Sequence, residues 1–140
     1  FLLYTNFPQS SFDERYRKHI GVNVFFKKMI PPNEVPNKIL ESYTCLSINS
    51  QGAEYAFGTK IFEYMALNRN ILHVSNGGEL SELLSDSGQL TSSYDLEELA
   101  EVLLILKERF LSVDETSYGN SLNERFSLRS TANQFEELFK

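Results

Sequence analysis

YAFGTKIFEYMALNRNILHVSNGGELSE, the stretch from Tyr55 to Glu82, contains a helix, a strand and a glycine turn in immediate succession. A helical pattern starts directly after Gly58 and extends from Thr59 to about Leu67. The short apolar run at Ile71–Val74 has the composition of a buried strand, and the turn SNGG leads into a second helical pattern. A strand placed between two helices is the unit from which parallel sheets are built, so this stretch predicts an α/β fold.

The same alternation of strands and helices continues along the rest of the chain. Each predicted strand is a short, nearly continuous apolar run, as is usual for strands that are buried on both faces. The strands are predicted at Phe1–Tyr4, Asn23–Phe26, Cys45–Ile48, Ile71–Val74 and near Leu90. We expect a Rossmann-like, doubly wound parallel sheet of about four to five strands with helices on both faces.

Two pairs of residues have the spacing of a capping box, in which a Ser or Asp cap is followed by Glu about three positions later. Ser11 with Glu14 would begin a helix that ends near His19, and Asp95 with Glu98 would begin a longer one. The longer helix has apolar residues along one face, at Leu96, Leu99, Leu103, Leu106 and Phe110. A last helix is predicted after Ser127, with its inward face formed by Leu128, Ala132, Phe135 and Phe139.

Length and composition favour a single domain and exclude several classes of protein. The 140 residues are 41% hydrophobic, which is sufficient for one core, and we expect one domain over residues 1–140. The net charge of −6 and the lack of a basic stripe argue against a nucleic-acid partner. The longest apolar run, Val102–Leu106, is far shorter than the roughly 20 residues of a membrane span. Cys45 and two isolated histidines predict no metal site and no cofactor, and His73 is expected to be a core or sheet-edge histidine instead of a catalytic base.

The residues around Gly58 suggest a site for phosphate. Ligands of open parallel sheets bind at the carboxyl ends of the strands, and the longest loop of that kind leads into the helix at Thr59. A helix N-terminus offers free N–H groups to an anion, Gly58 lets the anion approach the backbone, and Lys60 adds a positive charge. Glu63 follows about one turn later, where a carboxylate can accept hydrogen bonds from both hydroxyls of a ribose. The pattern fits a nucleotide, and it equally fits an ordinary loop break followed by a solvated glutamate.

The segment GTKIFEYMALNRNILHVSNGGELSELLSDSG resembles the donor-site segment of group 1 glycosyltransferases, in the C-terminal domain of the GT-B fold. The family's form is a glycine-bearing loop, then P-x-K-x-x-E-Y-x-A-x-G-x-P, an apolar strand, a glycine-rich turn and an acid. The residues that match this form are Lys60, Glu63, Tyr64, Ala66, Ile71, Gly78 and Glu82. The flanking segments are similar to the family in the same order, so the resemblance covers almost the whole chain.

The resemblance implies that the full-length protein is an enzyme, a retaining hexosyltransferase, whose donor substrate is a nucleoside diphosphate sugar. It implies a glycan or lipid-linked acceptor, bacterial surface polysaccharide biosynthesis, and a cytoplasmic location that leaves peripheral membrane association open. Donor binding is expected from Phe57, Gly58, Thr59, Lys60 and Glu63, with Glu63 on the ribose hydroxyls. Further contacts to the base or sugar are expected from Lys28, Met29, Glu54, Tyr55, Gly77 and Gly78, and no catalytic residue is assigned.

The sequence also departs from the family at several points. Tyr55 stands where many members have a first glutamate that contacts the donor sugar, and Glu54 is one position further out. The family's phosphate-binding Arg and Lys, after the first strand of this domain, have no counterpart, and the N-terminal acceptor domain is missing. We therefore expect a donor domain that is truncated at its N-terminal side and inactive alone. The alternative is a non-catalytic Rossmann-like α/β interaction module.

Overall fold

The computed structural model describes residues 1–6, 8, 10, 13–112 and 127, and over these residues the chain is an α/β protein. Its helices and strands are β1 (Leu2–Tyr4), α1 (Glu14–Arg17), β2 (Phe25–Lys27), α2 (Val35–Leu40), β3 (Thr44–Ile48), α3 (Thr59–Ala66), β4 (Asn70–Val74), α4 (Glu79–Asp86), β5 (Leu90–Ser92) and α5 (Leu96–Leu111). The predicted last helix, after Ser127, lies outside the described residues. Contacts divide the chain into two compact units, Phe1–Val35 and Pro36–Lys140. That residues 1–140 act as one donor-binding domain stays a prediction.

The first unit contains β1, α1 and β2, and its two strands pair in parallel. The N-cap of α1 is Asp13, whose Oδ1 accepts a hydrogen bond from the backbone N–H of Arg15 at 3.0 Å. The same carboxylate pairs with the Arg15 guanidinium at 2.7 Å. Asp13 is therefore the cap of α1 and Glu14 its first helical residue, whereas the predicted cap, Ser11, lies outside the described residues.

The second unit contains a three-stranded parallel sheet in the order β3-β4-β5. Thr44 lies opposite Asn70, and Leu72 lies opposite Leu90. The helix α3 connects β3 to β4, and α4 connects β4 to β5, so two βαβ units follow one another. The α/β class with parallel strands is confirmed. A single doubly wound sheet of four to five strands stays a prediction, because the strands form one sheet of two and one of three.

The core of the second unit is a cluster of apolar side chains from three consecutive elements. Ile61 and Met65 come from α3, Ile71 from β4, and Leu80 and Leu84 from α4. Residues four apart lie on the same face of a helix, which is why each helix contributes such a pair. Because the side chains form one cluster, α3 and α4 cover the same face of the sheet, the face that carries Ile71.

The start of α5 agrees with the predicted cap at Asp95. The Asp95 side chain accepts hydrogen bonds from the backbone N–H groups of Glu97 and Glu98, both at 2.9 Å. The second half of the capping box is different, because the Glu98 carboxylate bonds to Ser93 instead of the Asp95 N–H. That N–H already donates to the Ser93 hydroxyl at 3.1 Å.

The predicted apolar face of α5 is buried only along its middle. The partly buried residues of this face are Leu99, Leu103 and Leu106. The two outer residues are exposed, Leu96 at 80% and Phe110 at 59%, because they stand in the first and last turns of the helix. The ring of Phe110 packs edge to face on the ring of Tyr43, with 4.8 Å between the ring centroids. Over the described part of the chain, no helix has both the length and the apolar character that crossing a membrane requires.

Candidate functional site

A surface depression of about 260 Å³ lies where β3 ends and α3 begins. Its lining consists of Leu46, Ser47, Ile48, Asn49, Gly58, Thr59, Lys60, Ile61 and Tyr64. Complete small-molecule sites usually measure about 300–1,000 Å³, so this depression suits one group of a ligand, such as a phosphate, better than a whole nucleotide sugar. It stands at the carboxyl end of a parallel strand, the edge at which open parallel sheets bind their ligands.

The N-terminus of α3 has no side-chain cap. Gly58 is its N-cap residue in an extended conformation, and a glycine has no side chain with which to make a capping hydrogen bond. The Ile61 N–H already donates to the carbonyl of Gly58 at 3.1 Å, so the first-turn N–H groups that remain available to an anion are those of Thr59 and Lys60. Thr59 and Lys60 are exposed and line the depression. Glu63 is exposed one turn further along α3, outside that lining.

The loop that leads into α3 is fixed at both of its ends. The backbone N–H of Asn49 donates to the carbonyl of Val74 at 3.0 Å, and the Asn49 side-chain amide donates to the carbonyl of Ala56 at 2.9 Å. At the other end, Phe57 packs against the core cluster and stacks on Phe62 at 6.4 Å. The Phe57 side chain thus anchors the start of α3, and Phe57 is not part of the lining of the depression, so its predicted donor contact stays a prediction.

The glycine turn between β4 and α4 meets the loop between β3 and α3. Gly77 and Gly78 both have positive φ angles, 100° and 97°. A Cβ added to Gly78 would collide with the carbonyl oxygen of Glu54, whereas one added to Gly77 would meet nothing within 4 Å. The second glycine turn therefore has a structural reason, because the bare backbone of Gly78 lets the two loops approach each other.

Glu54 and Tyr55 lie in this loop, outside the lining of the depression. The Glu54 carboxylate accepts a hydrogen bond from the backbone N–H of Gly52 at 2.9 Å. This bond, and a second one from its own backbone N–H, lower the pKa of the Glu54 carboxyl. The Tyr55 side chain is 81% exposed. Glu54 is thus engaged within its own turn, and its predicted contact with the sugar stays a prediction.

Sequence reasoning did not single out Ser47, which lines the depression next to a buried histidine. The register of β3 and β4 places Ser47 opposite His73, with Oγ and Nδ1 3.1 Å apart. His73 is fully buried, as expected for a core histidine, and burial lowers the pKa of its imidazole. Among the described residues, no group of three or more His, Cys, Asp or Glu side chains could hold a metal ion, so His73 is not part of a candidate metal site. The signal in the sequence that could have identified Ser47 is its hydroxyl group, which stands within an otherwise apolar predicted strand.

In comparisons with known proteins, no family model matches the chain, and no curated protein or solved structure is significantly similar to it. The resemblance to group 1 glycosyltransferases therefore depends on the motif around Lys60 and Glu63 and on the order of the flanking segments. Membership of that family therefore stays a hypothesis.

The two predicted contact residues of the first unit lie after β2. Lys28 and Met29 are both exposed, and their contacts with a base stay predictions. The first unit also has a depression of its own, of about 230 Å³, lined by Phe1, Tyr16, His19, Ile20, Asn23 and Val24. It includes no lysine or arginine, so it is poorly suited to a phosphate group.

Cys45 is expected to be unreactive in the folded chain. The residue is buried in β3, and burial raises the pKa of its thiol to about 11, although the charge of Arg69 opposes this shift. Because only the thiolate is nucleophilic, iodoacetamide at pH 8 should alkylate the folded chain much more slowly than the chain in urea. Mass spectrometry of timed samples measures both rates. Equal rates in the two conditions would contradict the burial of Cys45.

Proposed function

We propose that this chain binds a nucleoside diphosphate sugar and forms the donor-binding part of a retaining hexosyltransferase. The observation that carries the proposal is the uncapped N-terminus of α3, which opens onto the depression beside Lys60. Backbone N–H groups and an ammonium group attract a diphosphate. Glu63, exposed one turn away, offers its carboxylate to the two hydroxyls of the ribose.

The wider proposal adds what the resemblance to group 1 glycosyltransferases implies. In it, the chain is the Rossmann-like, doubly wound donor domain of a GT-B enzyme, and a second domain binds the glycan or lipid-linked acceptor. Gly77 and Gly78 lie near the sugar. The enzyme acts in the cytoplasm in polysaccharide assembly. Two consecutive βαβ units with the depression at a strand-to-helix junction support this proposal.

A non-catalytic α/β interaction module is the second candidate. It is favoured by the loop before α3, where the Glu54 carboxylate bonds within its own turn and Tyr55 stands in the place of the family's first glutamate. Such a module has no use for a nucleoside diphosphate. The two candidates therefore differ in whether the depression binds this class of ligand.

A titration followed by NMR separates the two candidates. The isotope-labelled chain is titrated with pyrophosphate and with the diphosphates of uridine, guanosine and adenosine, and the backbone amide shifts are recorded. The proposal predicts that the shifts concentrate at Gly58–Glu63 and that one nucleotide binds more tightly than pyrophosphate. If no amide in this region responds to any of these ligands at millimolar concentration, the chain does not bind donor and the module is the better description.

Lys60→Ala is expected to weaken pyrophosphate binding about threefold to fivefold, because a contact made by an exposed charge contributes up to about 1 kcal/mol. Lys107→Ala is the matched control, since it removes the same charge from the exposed surface of α5, and it should leave the affinity unchanged. The affinities come from the amide titrations. An equal loss in both variants would indicate a general effect of net charge and would remove Lys60 from the site.

A further inference from the structure

Two polar side chains, Ser47 and His73, lie next to each other on the face of the sheet that α3 and α4 cover. They are register partners on β3 and β4, and Ser47 Oγ is 3.1 Å from His73 Nδ1. His73 is fully buried, while Ser47 is partly buried and lines the depression. The pair therefore connects the interior of the sheet to the candidate phosphate site.

The surroundings of His73 determine which of its ring nitrogens carries the proton. Burial lowers the pKa of the imidazole, so the ring is neutral and has one N–H donor and one acceptor. His73 Nε2 is buried and has no hydrogen-bond partner among the described residues. Unpaired buried donors are rarer than unpaired buried acceptors. The proton therefore belongs on Nδ1, which donates to Ser47 Oγ, and Nε2 is the unpaired acceptor.

This tautomer leaves the Ser47 hydroxyl proton without a partner in the described part of the chain. Ser47 Oγ accepts from His73, so its own O–H must point in another direction, and the residue lines the depression. If the contact served only to satisfy the buried imidazole, both ring nitrogens would be expected to have a partner. It leaves Nε2 unpaired instead, which costs stability.

We propose that Ser47 donates a hydrogen bond to a phosphate oxygen in the depression, and that His73 is a positioning residue that holds this hydroxyl in its donating orientation. The inference rests on the proposed function, since it requires an anion at the N-terminus of α3. It adds a donor from β3 to those of Gly58, Thr59 and Lys60, so that the phosphate is held from two sides.

The first test measures the tautomer of His73 in the chain without ligand. Long-range proton–nitrogen correlation spectra of the imidazole distinguish a proton on Nδ1 from one on Nε2. We expect the Nδ1–H form. A proton on Nε2 would overturn the proposal, since the Ser47 hydroxyl would then donate to His73 and would not be available to a ligand.

The second test measures pyrophosphate affinity in variants of the pair. Ser47→Ala is expected to weaken binding about tenfold, as for a lost hydrogen bond to a charged group. Ser42→Ala is the matched control, because its hydroxyl bonds to the carbonyl of Lys38, away from the depression. His73→Asn keeps an N–H donor near the Nδ1 position and should retain most of the affinity, whereas His73→Leu should weaken binding as much as Ser47→Ala.

The double variant Ser47→Ala/His73→Leu should bind no more weakly than either single variant, because both substitutions remove the same hydrogen bond. Losses that multiply would show that Ser47 and His73 act independently and would overturn the positioning role of His73. If Lys60→Ala weakens binding and Ser47→Ala does not, this inference fails and the proposed function stands. If the unmodified chain does not bind pyrophosphate, both fail. Amide spectra without ligand check that each variant is folded.

Discussion

Gly78→Ala should lower the free energy of unfolding of this chain by about 2–6 kcal/mol, a large part of the stability of an ordinary domain. Two effects add at this position. The backbone of Gly78 has φ 97° and ψ 168°, a conformation that is almost restricted to glycine. The new Cβ would also collide with the carbonyl oxygen of Glu54, a backbone atom that cannot turn away as a flexible side chain could. Urea unfolding followed by circular dichroism measures the loss.

Gly77→Ala is the control for this prediction. Gly77 also has a positive φ, 100°, but an added Cβ would meet nothing within 4 Å. Its substitution should therefore cost only the backbone strain, about 1–2 kcal/mol. If the two variants are equally stable, the close approach of Gly78 to Glu54 does not exist in solution.

Glu63→Ala should weaken binding of the preferred nucleoside diphosphate about 10- to 100-fold, because hydrogen bonds to a charged group contribute about 1.5–3 kcal/mol. The expected reason is the loss of a carboxylate acceptor for the ribose hydroxyls. Isothermal titration calorimetry measures the change. The residue is exposed and lies outside the core cluster, so the substitution should leave the folded state intact.

Two comparisons show whether Glu63 contacts the ribose. Pyrophosphate has no ribose, so its affinity should not fall in Glu63→Ala. The control variant Glu101→Ala removes the same charge from an exposed position on α5 and should bind the nucleotide as the unmodified chain does. If pyrophosphate and the nucleotide lose affinity equally, Glu63 acts through α3 and has no contact with a sugar.

The elements from β3 to β4 could be predicted almost to the residue. The strand predicted at Cys45–Ile48 is Thr44–Ile48, and the helix predicted from Thr59 to about Leu67 ends at Ala66. Continuous apolar runs and the break at Gly58 are local signals, and they determine these boundaries. The first unit was harder to predict, because α1 has little more than one turn and its cap, Asp13, depends on a hydrogen bond to Arg15.

Only the part of the site that is formed by consecutive residues could be predicted. Gly58, Thr59 and Lys60 are consecutive, so a helix start with a basic residue was visible in the sequence. The pairing of Ser47 with His73 depends on the register between two strands, and the contact of Gly78 with Glu54 depends on how two loops meet. Such contacts join residues that are distant in sequence, and no local pattern specifies them.

The strand order β3-β4-β5 has a consequence for how the second unit folds. Each strand pairs with the next strand in sequence, and only one helix with its two flanking loops separates the two partners. The entropy that must be lost to close these connections is small compared with that of sheets whose neighbouring strands are far apart in the chain. The sheet can therefore grow one strand at a time, with each completed crossover placing a helix on the core before the next strand is added.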